Sequence, residues 1–140
     1  MTWIGISLAL IGTGLVWRLV PLGLHPFLLK YGGSVLWAAM VYSLLAVLLP
    51  RGSITMTMTL AGAVALATEL LRLYHQPWLD AFRLTLPGAL LLGRIFSPWN
   101  LVAYAVGIVA TASCERLAAA RRSRQSIEVE PRVPIVSRRD

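Results

Sequence analysis

The sequence predicts an all-α membrane protein with four transmembrane helices and an apolar, re-entrant or interfacial segment between helices three and four. Three observations predict it. Of the 140 residues 57% are hydrophobic and only 14% are charged, where a soluble domain has about 45–50% apolar and about 25% charged residues. The apolar residues come in long runs without the polar faces of a soluble core helix. Proline, glycine and isolated charges fall between those runs, where helices stop and water begins.

The first segment is read from about residue 3 to 20. Gly5, Ala9, Gly12 and Val16 recur on one face at i, i+4, i+7, i+11, a spacing that lets another helix approach closely. Trp17 and Arg18 mark the water interface, and Pro21, Gly23 and Pro26 break the helix. No side-chain charge precedes this segment and further apolar segments follow it, so it is expected to be retained rather than removed as a signal peptide. The second segment runs from about 28 to 49. Lys30 and Tyr31 anchor its start, Lys30 snorkelling on its apolar stem or joining a polar site, and Gly32, Ala39, Ser43 and Ala46 form a second small-residue face.

The turn at Pro50–Ser53 is short, so the third segment, about 54 to 74, is expected to lie antiparallel to the second. Gly62, Ala65, Glu69, Arg72 and Gln76 share one of its faces, small in the middle and polar at one end. Glu69 and Arg72 stand at i, i+3, the spacing of a helical ion pair. Residues 75–98 are long for a connection in a compact bundle and unusually apolar. They read as a short helix opened by Pro77, a break at Pro87-Gly88, and a second short turn ending at Gly93. The fourth segment opens with Ser97 as cap and Pro98 at the first helical position. It runs to about Cys114, with Asn100, Tyr104, Gly107, Thr111 and Cys114 on its polar or small face.

Residues 1–114 thus make the transmembrane domain, and residues 115–140 a basic tail, disordered from about Ser123. The net charge is +7; residues 115–140 carry seven Arg against four acids. Beside a membrane, such a basic flank points to anionic lipid at the cytoplasmic face rather than to nucleic acid. Four spans place both termini on one side, and Arg51 with the tail arginines makes that side cytoplasmic. The other side carries Arg18, Lys30, Arg72, Arg83 and Arg94, some of them beside acids as if held in a site. The one cysteine, Cys114, allows no intrachain disulfide, and no metal-ligand spacing or phosphate-binding glycine loop occurs.

The chemistry is concentrated between Glu69 and Arg83. Glu69, Arg72, His75, Asp80 and Arg83 lie within 15 residues, and Asn100 and Tyr104 open the next helix. Together they are the candidate ligand-binding residues, a pocket for an anionic lipid or other amphipathic anion at the extracytoplasmic mouth of the bundle. Arginine suits phosphate or carboxylate, and ionisable residues inside a membrane mark functional sites. The structural alternative is two i, i+3 pairs, Glu69–Arg72 and Asp80–Arg83, that only neutralise each other, with Tyr74, Trp78 and Trp99 as interface anchors. No triad or nucleophile elbow is legible, so no catalytic residue, cofactor or metal is assigned. A small proton-coupled transporter working as a homo-oligomer, with Glu69 carrying the proton, is one rival reading. A structural or assembly protein is the other.

The run Glu69…Leu73-Tyr74-His75…Pro77-Trp78-Leu79-Asp80-Ala81…Arg83, then Leu92-Gly93-Arg94…Phe96 and Leu101…Ala103-Tyr104…Gly107, resembles a small bacterial membrane-protein family, the domain of unknown function DUF2809. Lys30-Tyr31…Gly33…Leu36-Trp37 and Pro50-Arg51 resemble its earlier landmarks. The resemblance spans roughly residues 3–114. It implies a multi-pass protein of the bacterial cytoplasmic membrane and no established reaction. The family pattern carries Gln at the position of Arg72 and Asp at that of Asn100. An Asp acting there as acid or base would have no equivalent in Asn100. A looser similarity to VanZ-like proteins implies a role in the cell envelope.

Overall fold

The computed structural model describes residues 3–21, 23–92 and 96–129, the last four as backbone only. Among these residues all regular structure is helical: α1 (Trp3–Leu19), α2 (Pro26–Leu48), α3 (Ile54–Leu71), α4 (Pro77–Leu84), α5 (Leu86–Leu91) and α6 (Pro98–Val129). Three helices, α2, α3 and α6, are long and apolar enough to cross a membrane; α1, with 17 residues, is a shorter apolar helix.

Local chemistry sets the boundaries. Pro26 occupies the first turn of α2 and the His25 ring accepts the Phe27 N–H at 3.3 Å, so α2 starts two residues before the expected Leu28. Ser53 caps α3, its hydroxyl accepting the Met56 N–H at 3.1 Å. That helix stops at Leu71 rather than near Tyr74. The N–H groups of Arg72, Leu73 and Tyr74 turn to carbonyls three residues back, which tightens the end and closes the α-helical pattern. The break between α4 and α5 falls at Thr85, not at Pro87-Gly88: the Thr85 hydroxyl accepts the Gly88 N–H at 3.2 Å, and Pro87 sits in the first turn of α5. Gly88 serves instead as a contact point, since a Cβ there would collide with the Phe82 carbonyl. The turn expected at Gly93 lies outside the described residues.

The largest departure is α6. It does not end near Cys114 but continues to Val129. Residues 115–129 hold Leu117, three consecutive alanines and four arginines, all good helix formers, and no Gly or Pro. The expected disorder from Ser123 is therefore corrected as far as Val129; residues 130–140 lie outside the described residues.

The middle of the bundle is α2, which packs on α6, α1 and α3, while α3 also packs on α6. Helix α1 runs antiparallel to α2: Trp17 Nε1 donates to the Leu29 carbonyl at 3.1 Å at one end, and Ser7 donates to Ser43 at 3.0 Å at the other. Helices α2 and α6 run parallel, joined by Ser34–Asn100 near their starts and by Tyr42–Glu115 further along. The buried cluster is built from Ala38, Ala61, Ala65 and Ala112 around Tyr42, Tyr104 and Ile108. Large apolar side chains such as Leu8, Leu48, Val102 and Val106 point outward. Small inside and large outside is the pattern of helices that associate in lipid. The expected small-residue face of α2 is present, with Ala39, Ser43 and Ala46 buried. That of α1 is not in the bundle: Gly5 and Ala9 are exposed, and Ser7 is the buried contact.

Tyr42 is fully buried and donates to the Glu115 carboxylate at 2.5 Å, a charge-assisted bond that ties the middle of α6 to α2. Tyr42→Phe is expected to lower stability by about 1.5 kcal/mol, checked by thermal unfolding in detergent.

Candidate functional site

Glu69 sits in the last turn of α3 with 0% of its surface exposed. A carboxylate so placed needs donors on both oxygens, and four converge on it. One oxygen accepts the Ser97 backbone N–H at 2.7 Å and the Asn100 amide at 3.3 Å. The other accepts Arg72 Nη1 at 2.5 Å and the Tyr104 hydroxyl at 3.3 Å. Ser97 and Asn100 belong to the start of α6, so the negative charge also faces the positive end of that helix. The Arg72 guanidinium is equally committed: Nη2 donates to the Tyr104 hydroxyl at 2.9 Å and Nε to the Leu92 carbonyl at 2.5 Å. The cluster reaches α2 through the Ser34 hydroxyl, 3.3 Å from Asn100 Oδ1, and through Trp37, whose ring lies 5.2 Å from that of Tyr104.

A second polar cluster caps the end of α3. Arg83, 3% exposed, donates Nη1 to Asp80 at 2.8 Å and Nη2 to the Leu71 carbonyl. A cation on the last carbonyls of a helix meets the negative end of its dipole. His75 Nδ1 lies 3.4 Å from Asp80, and both side chains are well exposed.

The seven candidate residues therefore gather at one end of the bundle but divide into two clusters. Glu69, Arg72, Asn100 and Tyr104 form the buried one, and Asp80, Arg83 and His75 the more exposed one. Among the described residues no side-chain bond joins the two. Both i, i+3 pairs, Glu69–Arg72 and Asp80–Arg83, are made. Ser34 and the Ser97 backbone belong to the buried cluster and were not among the candidates. Ser34 left a faint signal as a hydroxyl in the first turns of an apolar helix; a backbone N–H leaves none. No three His, Cys, Asp or Glu residues stand together among the described residues in a way that would hold a metal.

Beside the buried cluster is a half-open cavity of about 370 Å³ between α1, α2 and α5. Its walls are mostly apolar, with leucine the commonest lining residue beside Trp17, Trp37 and Met40; Arg72 and Tyr104 reach it from the buried cluster, and Arg18 and Lys30 supply its other charges. No carboxylate lines it. The cavity exists because α5 pairs closely only with α4 and stands off from α1 and α2. Trp17 closes one edge, packing so tightly on Gly32 that a Cβ there would lie 2.6 Å from its ring. A larger, shallow hollow of about 600 Å³ on the outer face of α1, over Gly12, Thr13 and Val16, holds no charged residue.

Three spanning-length helices closed around a buried ion pair, with large apolar side chains turned outward, define an α-helical membrane protein. The family model described as a protein of unknown function (DUF2809) matches residues 24–108, and the chain belongs to that family. The matched stretch holds both polar clusters. No solved structure matches the chain.

Proposed function

We propose that the protein crosses the cytoplasmic membrane four times, both termini in the cytoplasm, and binds an anionic amphiphile in the α1–α2–α5 cavity on the opposite side. The observation that carries the binding is the lining: apolar walls, Arg18, Lys30 and Arg72, and no acid. Such a surface suits a molecule with a hydrocarbon chain and a negative head. The fourth crossing is α1, whose 17 residues span about 25 Å and which pairs with α2 from Trp17 to Trp3. The orientation rests on exposed Arg51, Arg116, Arg121 and Arg124 at the end where α6 leaves the bundle. At the other end Arg72 and Arg83 are neutralised by Glu69 and Asp80. The buried cluster is then the scaffold that holds one wall of the cavity. A proton carried by Glu69 would have to compete with four donors, one of them the Arg72 guanidinium, so binding is preferred here to proton-coupled transport.

The test fills the cavity. A Cβ at Gly14, a lining residue, meets nothing within 4 Å, so a side chain can start there without a clash, and Gly14→Trp adds bulk to the α1 wall without replacing a residue of either polar cluster. Native mass spectrometry of the purified wild type is expected to find a bound anionic lipid that Gly14→Trp lacks, with unchanged melting temperatures. Equal lipid occupancy in both proteins would overturn the assignment.

A further inference from the structure

Resting on that reading, the charges of the cavity narrow the chemistry of its ligand. Arg72 contributes no free cation, because its donors go to Glu69, Tyr104 and the Leu92 carbonyl. Arg18 and Lys30 are different. Neither forms an ion pair with a carboxylate among the described residues, and the Lys30 ammonium lies only over the Tyr31 ring, 5.2 Å from its centroid. Arg18 is in the last turn of α1 and Lys30 in the second turn of α2, on either side of the short 20–25 connection. Both therefore stand at the same end of the bundle, where a head group meets water. Deeper along α2, Leu36 and Met40 continue the cavity without charge.

We propose that the ligand is a lipid phosphomonoester, its phosphate held between Arg18 and Lys30 and one alkyl chain lying in the cavity. Two uncompensated cations match a head bearing two negative charges. A phosphomonoester carries about −1.5 to −2 near neutral pH, whereas a phosphodiester lipid carries a single charge and leaves one cation without a partner. Arginine adds a planar fork that fits two phosphate oxygens, and lysine adds a point charge on a flexible stem. The volume agrees with one chain: 370 Å³ holds roughly a dozen water-sized groups at about 30 Å³ each.

The experiment titrates the full-length protein in detergent at pH 8 with dilauroyl phosphatidic acid, phosphatidylglycerol and phosphatidylcholine, read by native mass spectrometry. Phosphatidic acid is expected to bind about tenfold more tightly than phosphatidylglycerol. Arg18→Gln and Lys30→Gln, both at exposed positions, are each expected to reduce it to the phosphatidylglycerol level. Equal binding of the two anionic lipids would overturn the phosphomonoester assignment and leave the cavity reading standing. Binding of neither above phosphatidylcholine would overturn both. Wild-type affinity for phosphatidic acid in Gly14→Trp would place the lipid elsewhere and overturn both as well.

Discussion

Glu69→Leu is expected to destabilise the protein by about 3–5 kcal/mol, the cost of breaking a buried pair from one side. The carboxylate is a fully buried acceptor for four donors. Leucine would fill much of its volume and leave the Arg72 guanidinium, only 9% exposed, as an uncompensated charge. It would also orphan the Ser97 N–H at the start of α6. The double variant Glu69→Leu/Arg72→Met is expected to recover much of the loss, because removing both charges removes the desolvation burden with them. Unfolding of Glu69→Leu, Arg72→Met and the double variant in detergent measures this. Strictly additive losses would mean that the pair is not coupled.

Gly107→Ala is expected to cost about 1–3 kcal/mol through overpacking. A Cβ at Gly107 would fall on the Val35 carbonyl and 3.1 Å from Ala38 Cβ. Backbone cannot yield as a flexible side chain does, so α2 and α6 would have to separate, and they form the most extensive helix pair in the bundle. Gly62→Ala is the control. A Cβ there meets nothing within 4 Å, and removing glycine from a helix interior is expected to raise stability by about 0.4–1 kcal/mol. Thermal unfolding of both variants beside wild type separates overpacking from any general effect of glycine.

Two helix starts were legible from their chemical marks, Pro77 and Pro98; Pro26, which reads equally as a breaker of the preceding helix, and Ser53, which reads as part of a turn, open α2 and α3. The end of α6 was not legible. Hydropathy falls after Cys114, but loss of hydropathy ends a membrane crossing and not a helix, and nothing from Glu115 to Val129 breaks the backbone pattern. The Gly5–Gly12 spacing on α1 shows where close approach is sterically allowed and carries no information about which face is used. Ser7, between those glycines, became the contact because Ser43 offered it an acceptor.

The candidate site divides along the same line. Spacing of three exposed both ion pairs within α3 and α4. It could not show that Glu69 is completed from the start of α6, because Ser97, Asn100 and Tyr104 stand 28, 31 and 35 residues away. Nor could it expose the cavity, which depends on α5 standing off from its neighbours and has no motif of its own.

The parallel pairing of α2 with α6 bears on how the protein is made. A ribosome has to deliver the chain through Tyr104 before the central seam can close, long after α2 has entered the bilayer. During that interval Glu69 has Arg72 as its one partner near at hand, three positions ahead in the chain. Chains that terminate before Ser97 keep this charge pair without the α6 donors that complete it. Nonsense or frameshift products of this length are thus expected to be recognised and cleared by membrane proteases, while chains reaching the end of α6 escape.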